Sequence, residues 1–166
     1  MIRAIVAVDK NFGMGYKDQL LESIPEDLMS FKEFTWGSFV IMGRKTYESL
    51  PKRPLPGRIN VVITSKAEQF GLHTCGETIY MNMETVESFL ANDMFRGDVY
   101  IIGGGKIFER LLKYCEIVML TKIHKRYKDV DTYFPNIRRT FKLAVKNPVQ
   151  VSKTGVKFHF ERWDRK

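Results

Sequence analysis

One acidic residue is of chemical interest because it shares a predicted helix face with aromatic side chains. Ser23 and Glu26 have the spacing of a capping box, which predicts the start of a helix. At about 100° per residue, Asp27 lies on the same face of that helix as Phe31 and Phe34. Burial on this face would raise the pKa of the carboxyl and would require a hydrogen-bonding partner. An acid in a first helical turn also interacts favourably with the helix dipole. Taken alone, the position of Asp27 is better explained by that ordinary role than by a functional site.

A second candidate site is a strand that runs into three glycines and then a helix. The apolar residues from position 99 onward end at Gly103-Gly104-Gly105. Successive glycines let a ligand approach the backbone closely, and a helix start offers free N–H groups to a phosphate. The segment is neither a GxGxxG motif, because Phe108 occupies the third glycine position, nor a P-loop. Three glycines exceed what a turn requires, so we expect a ligand here.

Two other strand ends carry groups suited to an anion. The apolar run before Gly43 is followed by Arg44, Lys45 and Thr46, and the next strand ends in Thr64-Ser65-Lys66. Cations at a helix N-terminus are unfavourable unless something anionic sits there. Together, the three strand ends predict one elongated polyphosphate ligand.

The elements that must position these residues alternate as in an α/β domain. Short, β-branched runs that are apolar on both faces predict buried parallel strands, with helices between them. We predict a central, mostly parallel twisted sheet with helices on both faces and a C-terminal antiparallel hairpin. The predicted strands are 3–8, 38–42, 59–64, 78–81, 99–102 and 117–123, and the hairpin strands are 141–151 and 156–163. The predicted helices are 25–35, 44–50, 85–92 and 106–113, and the predicted loops are 9–23 and 51–58.

The composition favours one compact domain over residues 1–166. The chain is 44% hydrophobic and 13% aromatic, which excludes a disordered basic tail. Its apolar runs are too short for a membrane span, and we find no secretory signal. Cys75 and Cys115 cannot form a disulfide framework and the histidines lack metal-ligand spacing, so we expect a cytoplasmic protein without a metal. The net charge of +8 requires an anionic partner.

Taken together, the motifs resemble those of dihydrofolate reductase. They occur in the family's order over nearly the whole chain, and their combination is far more specific than any one of them. They are Asp27-Leu28-x-x-Phe31-Lys32, Val40-Ile41-Met42-Gly43-Arg44-x-Thr46, Leu55-Pro56-Gly57-Arg58, Ile101-Ile102-Gly103-Gly104-Gly105, Leu120-Thr121 and Asp131-Thr132-x-Phe134-Pro135. The resemblance implies NADPH-dependent reduction of 7,8-dihydrofolate to 5,6,7,8-tetrahydrofolate, with hydride transfer to pterin C6 and protonation at N5. It also implies a monomer that binds antifolate inhibitors.

The resemblance further implies a substrate site. Asp27 would hold the amino-pyrimidine edge of the pterin by charge-assisted hydrogen bonds and favour N5 protonation, while the proton itself comes from water. Thr121 would brace this carboxylate, and these two are the implied catalytic residues. Arg58 would bind the glutamate α-carboxylate of the substrate as a bidentate pair. The implied substrate-binding residues are Ile5, Val6, Ala7, Leu28, Phe31, Lys32, Leu50, Leu55, Arg58 and Ile102.

The implied NADPH site uses the three strand ends. Arg44, Thr64 and Ser65 would lie near the adenosine 2′-phosphate, and Lys45 and Thr46 near the pyrophosphate. The peptide bond between Gly103 and Gly104 would be cis, as in the family. The implied cofactor-binding residues are Ala7, Gly15, Leu20, Gly43, Arg44, Lys45, Thr46, Thr64, Ser65, Gly103, Gly104, Gly105, Lys106 and Ile107.

One segment departs from the family pattern. Members typically have Leu-Pro-Trp before the acidic helix, where this chain has Leu20-Leu21-Glu22. The missing Trp normally helps to close the active-site loop. Glu22 instead places a second carboxylate close to Asp27, and if both were buried together, like-charge repulsion would raise one pKa. We expect a weaker or differently closed loop, with activity retained.

Three alternatives stay open at this point. A riboflavin-pathway reductase has similar glycine-rich turns but should lack the Asp27 helix and the Arg58 clamp. A catalytically weak or structural relative would keep the fold without turnover. A nucleic-acid-binding domain would use the basic run at residues 122–128, although no RNA motif with interleaved aromatic residues accompanies it.

Overall fold

A large, mostly parallel sheet organises the chain in the computed structural model, which describes residues 1–70 and 78–166. The strands, in chain order, are β1 (Ile2–Val8), β2 (Gly13–Tyr16), β3 (Gln19–Leu20), β4 (Phe39–Gly43), β5 (Ile59–Ile63), β6 (Thr78–Met81), β7 (Val99–Gly103), β8 (Ile117–Ile123), β9 (Thr132–Tyr133), β10 (Phe141–Lys146), β11 (Gln150–Val151) and β12 (Lys157–Arg165). The helices are α1 (Pro25–Thr35), α2 (Arg44–Ser49), α3 (Ala67–Phe70), α4 (Met83–Ala91) and α5 (Gly105–Leu111), and a 3₁₀ turn follows at Leu112–Tyr114.

The strand order places several carboxyl ends along one edge of the sheet. The order is β10-β12-β8-β1-β7-β4-β5-β6, and the strands from β8 to β6 in this order are parallel. β12 pairs with β8 antiparallel, and β10 and β11 pair antiparallel with β12. The predicted parallel sheet with a C-terminal antiparallel hairpin is confirmed. The carboxyl edge of such a sheet is where ligands commonly bind.

Alternate residues of the central strands contribute to two apolar clusters, one on each face. Val40 and Met42 of β4 belong to the first cluster, against which Tyr47 of α2 packs. Ile41 of β4 belongs to the second, with Val86 of α4 and several residues of α5. Helices therefore cover both faces, as predicted, and burial on both sides explains why these strands are apolar throughout.

The segment at 9–23, predicted to be an irregular loop, contains two short strands. β2 pairs with β3 and with the distant β9, forming a small second sheet. Lys17 and Asp18, which connect β2 to β3, have φ values of 48° and 61°, as a tight hairpin turn requires. The prediction missed these strands because both are short, the Lys17-Asp18 turn lacks the glycine of a typical hairpin turn, and the second partner of β2 lies far away in the sequence.

The start of α1 also differs from the prediction. The N-cap residue is Ile24 rather than Ser23, and it makes no side-chain capping bond. The Glu26 carboxylate instead accepts hydrogen bonds from the Lys153 backbone N–H at 2.9 Å and from Ser152 Oγ at 2.7 Å. These bonds hold the pKa of Glu26 below its usual value. The capping-box prediction is wrong because a tertiary partner binds the glutamate.

Other sequence predictions concern membrane spans, the cysteines and metal ligands. None of the helices in the described residues is long and apolar enough to cross a membrane. Cys115 is buried, and burial raises the pKa of its thiol to about 12. Cys75 and His73, to which the sequence analysis assigned no role, lie outside the described residues. Within residues 1–70 and 78–166, no group of acidic, histidine and cysteine side chains is placed to hold a metal ion.

Candidate active site

The acid predicted from helix periodicity is bonded to a strand at the carboxyl edge of the sheet. Thr121 Oγ1 in β8 donates a hydrogen bond of 2.5 Å to Asp27 Oδ1 in the first turn of α1. Thr121 is buried, and its backbone pairs with Ala7 of β1 on one side and Phe160 of β12 on the other. Burial raises the pKa of the Asp27 carboxyl, and the Thr121 hydroxyl offsets part of that rise.

The apolar residues predicted to line the substrate site come from β1, β7, α1 and the segment that follows α2. Ile5 of β1 and Ile102 of β7 pack, together with Leu50 and Leu55, against the cluster on the α2 face of the sheet. Phe31 is partly buried on α1, and Leu28 of the same helix is 45% exposed. Ala7 packs instead with the Ile24, Ile123 and Phe158 cluster, and Val6 packs on the opposite face of the sheet. Of the predicted apolar substrate residues, Val6 alone has a side chain that packs into the opposite cluster.

The predicted anion clamp is already held in position. Arg58 is only 5% exposed; its Nε donates to the Pro56 carbonyl at 2.9 Å, and its Nη1 donates to Thr35 Oγ1 at 3.2 Å. Lys32 is exposed, with its Nζ 5.6 Å from the centre of the Trp36 ring. The Arg58 guanidinium carbon lies 6.0 Å from the same ring. Both predicted tail-binding cations therefore flank one exposed indole at the end of α1.

The glycine-rich turn places partly buried backbone between two adjacent strand ends. The peptide bond between Gly103 and Gly104 is cis, as expected, and Gly103 has a φ of 115°, which favours glycine. A Cβ at Gly105 would approach Thr132 Cγ2 to 2.9 Å, and one at Gly43 would approach Ile107 Cγ1 to 3.2 Å. The glycines therefore let the Thr132 and Ile107 side chains pack directly against the backbone of these two strand ends.

Predicted cofactor residues with polar side chains surround that turn at the ends of β4 and β5. Arg44 pairs with Glu48 one turn along α2 at 2.9 Å, whereas Lys45 and Lys106 are exposed. Thr46 Oγ1 lies 3.5 Å from the position that a Cβ on Gly104 would take. Thr64 is buried and Ser65 is exposed at the end of β5. Ile107, also predicted to contact the cofactor, is buried in the core below Gly43.

Asp131, for which the sequence analysis proposed no role, holds the loop that contains β2 and β3 through two hydrogen bonds. The Asp131 backbone N–H donates to the Gly15 carbonyl at 3.1 Å, and the Lys17 N–H donates to Asp131 Oδ2 at 2.9 Å. The bond from Lys17 lowers the pKa of the Asp131 carboxyl. Leu20, at the end of this hairpin, is 64% exposed. The predicted cofactor residues Gly15 and Leu20 are therefore on a hairpin held by the segment before β9.

The carboxylate of Glu22, which stands at the position of the family tryptophan, has partners in the loop between β8 and β9. The Glu22 carboxylate accepts a hydrogen bond from the Tyr127 hydroxyl, and Lys125 Nζ lies 3.9 Å from it. The rise in the Asp27 pKa comes from burial rather than from a neighbouring acid. Glu22 is thus bound to the loop between β8 and β9.

Two other residues that hold the site together were missed. The Asp9 carboxylate, only 1% exposed, accepts backbone N–H bonds from Asn11, Gly13 and Tyr127 at 2.8 to 3.2 Å. Asn60, fully buried in β5, donates to the Leu55 and Arg58 carbonyls and accepts from the Leu55 N–H. In both cases, the sequence signal that could have identified the residue was a polar side chain at the end or the start of an apolar strand.

The arrangement places two chemically different surfaces along one edge. A partly buried carboxylate with a raised pKa is bonded to β8, and it can hold a polar ring through charge-assisted hydrogen bonds. At the ends of β7, β4 and β5, along the same edge, lie partly buried glycine backbone, hydroxyl groups and cations that suit an extended anion. The site can therefore bind a polar heterocycle and a polyphosphate next to each other.

Comparisons with known proteins match nearly the whole chain to dihydrofolate reductases. The dihydrofolate reductase family profile matches residues 1–165. The dihydrofolate reductase of Neisseria meningitidis serogroup B is 34% identical over 167 residues, covering 99% of this chain and 98% of that protein. The Drosophila melanogaster dihydrofolate reductase is 32% identical over 172 residues, covering 95% and 93% of the two chains.

A solved structure supports the same assignment. Dihydrofolate reductase from Enterococcus faecalis, in complex with NADP(H) and RAB-propyl, superposes with a TM-score of 0.85 at 28% identity. The match covers 99% of this chain and 96% of that one. On the evidence of its sequence, its fold and these matches, the chain belongs to the dihydrofolate reductase family.

Proposed function

We propose that the chain catalyses NADPH-dependent reduction of 7,8-dihydrofolate to 5,6,7,8-tetrahydrofolate. The observation that carries the proposal is the Asp27–Thr121 hydrogen bond of 2.5 Å at the carboxyl edge of the sheet. It supplies a buried, oriented carboxylate beside the apolar residues Ile5, Phe31 and Ile102. Family membership adds the identity of the reaction.

In this site Asp27 would bind the amino-pyrimidine edge of the pterin through two charge-assisted hydrogen bonds. Thr121 donates to one carboxylate oxygen, so the carboxyl plane is held before substrate binds. The negative charge of Asp27 near the ring favours protonation at N5, with water as the proton donor. Leu28, Phe31, Leu50 and Leu55 would surround the aminobenzoyl ring and exclude water from it.

Arg58 is suited to the glutamate α-carboxylate of the substrate. Its bonds to the Pro56 carbonyl and Thr35 fix the plane of the guanidinium, which lowers the entropy lost when a carboxylate binds. Lys32 would add a second, mobile cation for the tail.

The residues at the ends of β4, β5 and β7 fit NADPH. The turn after β7 presents partly buried glycine backbone, and hydroxyls and cations lie on the neighbouring segments at Thr46, Thr64, Arg44 and Lys106. NADPH bound there would supply the hydride for pterin C6. Arg44, now paired with Glu48, would exchange that partner for the 2′-phosphate, while Lys45 and Thr46 would serve the pyrophosphate.

The test is a spectrophotometric assay of NADPH oxidation with dihydrofolate. We expect steady loss of NADPH absorbance that requires dihydrofolate and stops when methotrexate is added. The pyrimidine substrate of a riboflavin-pathway reductase, supplied in place of dihydrofolate, should give no turnover. Absence of dihydrofolate-dependent oxidation by folded protein would contradict the proposal and favour a structural relative.

We also propose one domain over residues 1–166, acting as a monomer in the cytoplasm without nucleic acid as a partner. The family match over residues 1–165 supports the domain extent. The +8 charge is in part explained by the cations assigned to NADPH and to the substrate tail. Gel filtration and a salt-dependent DNA and RNA retention assay test these points.

A further inference from the structure

A hydrogen-bonded pair joins the segment before the acidic helix to the loop between β8 and β9. The Tyr127 hydroxyl, in the loop between β8 and β9, donates to Glu22 Oε2, five positions before Asp27. The Tyr127 ring packs against the Ile24, Ile123 and Phe158 cluster. Ile24 is the N-cap residue of α1, so one tyrosine contacts both the start of the acidic helix and the segment leading into it.

The direction of this hydrogen bond is determined by the chemistry of the pair. Burial, together with the Glu22 carboxylate, raises the pKa of the Tyr127 phenol well above its usual value. The phenol therefore keeps its proton at any physiological pH, and a carboxylate can only accept. Replacing Tyr127 by Phe removes this donor while keeping the ring in the cluster.

Several charged groups surround the pair. Lys125 Nζ lies 3.9 Å from the Glu22 carboxylate, and Asp9 at the end of β1 accepts the Tyr127 backbone N–H at 3.2 Å. On α1 the acids are Glu26, which is bonded to Ser152 and Lys153, and Asp27, which is bonded to Thr121. Each of the three acids of this segment is thus held by a different part of the fold.

We propose that Tyr127 is a positioning residue that restrains the Glu22 carboxylate, so that the charge of Glu22 is kept away from Asp27. Without the hydroxyl, a flexible glutamate side chain five positions before Asp27 could turn toward the substrate site. Two carboxylates near one pterin would repel each other, and one of them would retain its proton to higher pH. This inference deepens the proposed function, on which its kinetic part rests.

The direct test measures the titration of Asp27 without substrate. Protein labelled with ¹³C at aspartate carboxyls is titrated by NMR as wild type, Tyr127→Phe and Tyr127→Phe/Glu22→Gln. We expect the Asp27 pKa to rise by roughly half a unit in Tyr127→Phe and to return to the wild-type value in the double variant. Lys125→Gln should raise it in the same direction by less, and provides a second test that leaves the cluster intact.

The matched control is Tyr133→Phe, which removes the hydroxyl of a tyrosine in β9 that is 52% exposed. It should leave the Asp27 titration unchanged. An unchanged Asp27 pKa in Tyr127→Phe, or a shift that persists in the double variant, would overturn the proposal. In the assay, Tyr127→Phe should raise KM for dihydrofolate more than it changes kcat. The titration needs no turnover, so it tests the positioning role of Tyr127 even if the proposed reaction is wrong.

Discussion

The acid end of the active site and its glycine end are held in place by different means. At the acid end, side chains bond to side chains and backbone of distant elements: Asp27 to Thr121, Glu26 to Ser152 and Lys153, and Glu22 to Tyr127. At the glycine end, Gly103 and Gly105 leave room for the Phe108 and Thr132 side chains to pack against the backbone, and the nearby cations are exposed or paired locally.

This difference indicates how each end responds to mutation. The acid end depends on the charge and orientation of a few atoms, so a change of one atom should alter the chemistry. The glycine end depends on the absence of side chains, so a single added methyl group should block it while charge changes matter little. Four variants test this contrast, in order of decreasing effect.

The first is Asp27→Asn, which keeps the shape of the side chain and its bond with Thr121 but removes the charge. We expect kcat/KM at neutral pH to fall by roughly 100-fold or more, because the stabilisation of the protonated pterin is lost. NADPH binding, measured by fluorescence titration, should stay unchanged. The control is Glu33→Gln, an exposed acid on the same helix. Near-normal kcat across the pH range would remove Asp27 from its assigned role.

The same substitution should stabilise the fold at neutral pH. Because burial raises the pKa of Asp27 in the folded protein, the unfolded chain releases its proton first as pH rises. Stability is therefore lost between the ordinary aspartate pKa and the raised folded value, and Asn avoids that loss. Thermal unfolding should give a higher Tm for Asp27→Asn at pH 7 and a smaller difference near pH 3. A lower Tm for Asp27→Asn than for the wild type at pH 7 would show that hydrogen bonds in the folded protein compensate the ionised carboxylate for its burial.

The second variant is Gly103→Ala. The φ of 115° and a Cβ that would lie 3.1 Å from Phe108 Cε2 predict destabilisation by about 1–3 kcal/mol and weaker NADPH binding. Gly155→Ala is the matched control, because it has a φ of 86° but open space around it and lies in the terminal hairpin. It should lower Tm through backbone strain while leaving NADPH affinity intact. Equal loss of affinity in both variants would mean that the effect is not local.

The third variant is Glu26→Ala, compared with Glu33→Ala on the same helix. We expect Glu26→Ala to lower Tm more at neutral pH, because only Glu26 is bonded to the terminal hairpin. Its folded pKa is lowered, so its contribution is present above the ordinary glutamate pKa and is lost as pH falls through the folded value. The two variants should therefore converge in acid, and a difference that is independent of pH would argue against this contact.

The smallest effect is expected for Glu48→Gln, which releases Arg44 from its partner. Exposed pairs of this kind contribute well below 1 kcal/mol, so NADPH affinity should improve by about threefold at most. NADH, which lacks the 2′-phosphate, should bind the variant and the wild type equally. A change in NADPH affinity larger than tenfold would mean that charge, rather than the absence of side chains at the glycines, controls binding at the glycine end.

The sequence predicted the sheet well because its strands are local apolar runs with strong boundaries. The strands at 78–81 and 117–123 and the helix at 25–35 match the structure, and most other ends shift by one or two residues. The predicted strand at 141–151 is instead two strands, β10 and β11, separated by residues 147–149, and the helix α3 was not predicted. The matching strands and helices depend on residues that are neighbours in the chain. The cis peptide bond between Gly103 and Gly104 is also present, but it was expected only from the family resemblance.

Several errors concern partners that are distant in sequence. Ser23 and Glu26 have capping-box spacing, but the glutamate binds residues near position 152. The bond between Glu22 and Tyr127 was not anticipated. β2 was missed in part because one of its two partners is the distant β9. No local pattern shows which of several chemically equivalent partners a carboxylate will meet once the chain has folded.

The position of β12 beside β8 has a consequence for how the protein is made. Thr121 is hydrogen-bonded through its strand to β12, and Glu26 is bonded to the turn that precedes β12. A nascent chain on the ribosome therefore cannot complete the acid end until residues 152–165 have left the exit tunnel. β1, made first, must likewise wait for β7 and β8. Partial chains should expose the uncovered edge of β8, where chaperones would bind during synthesis.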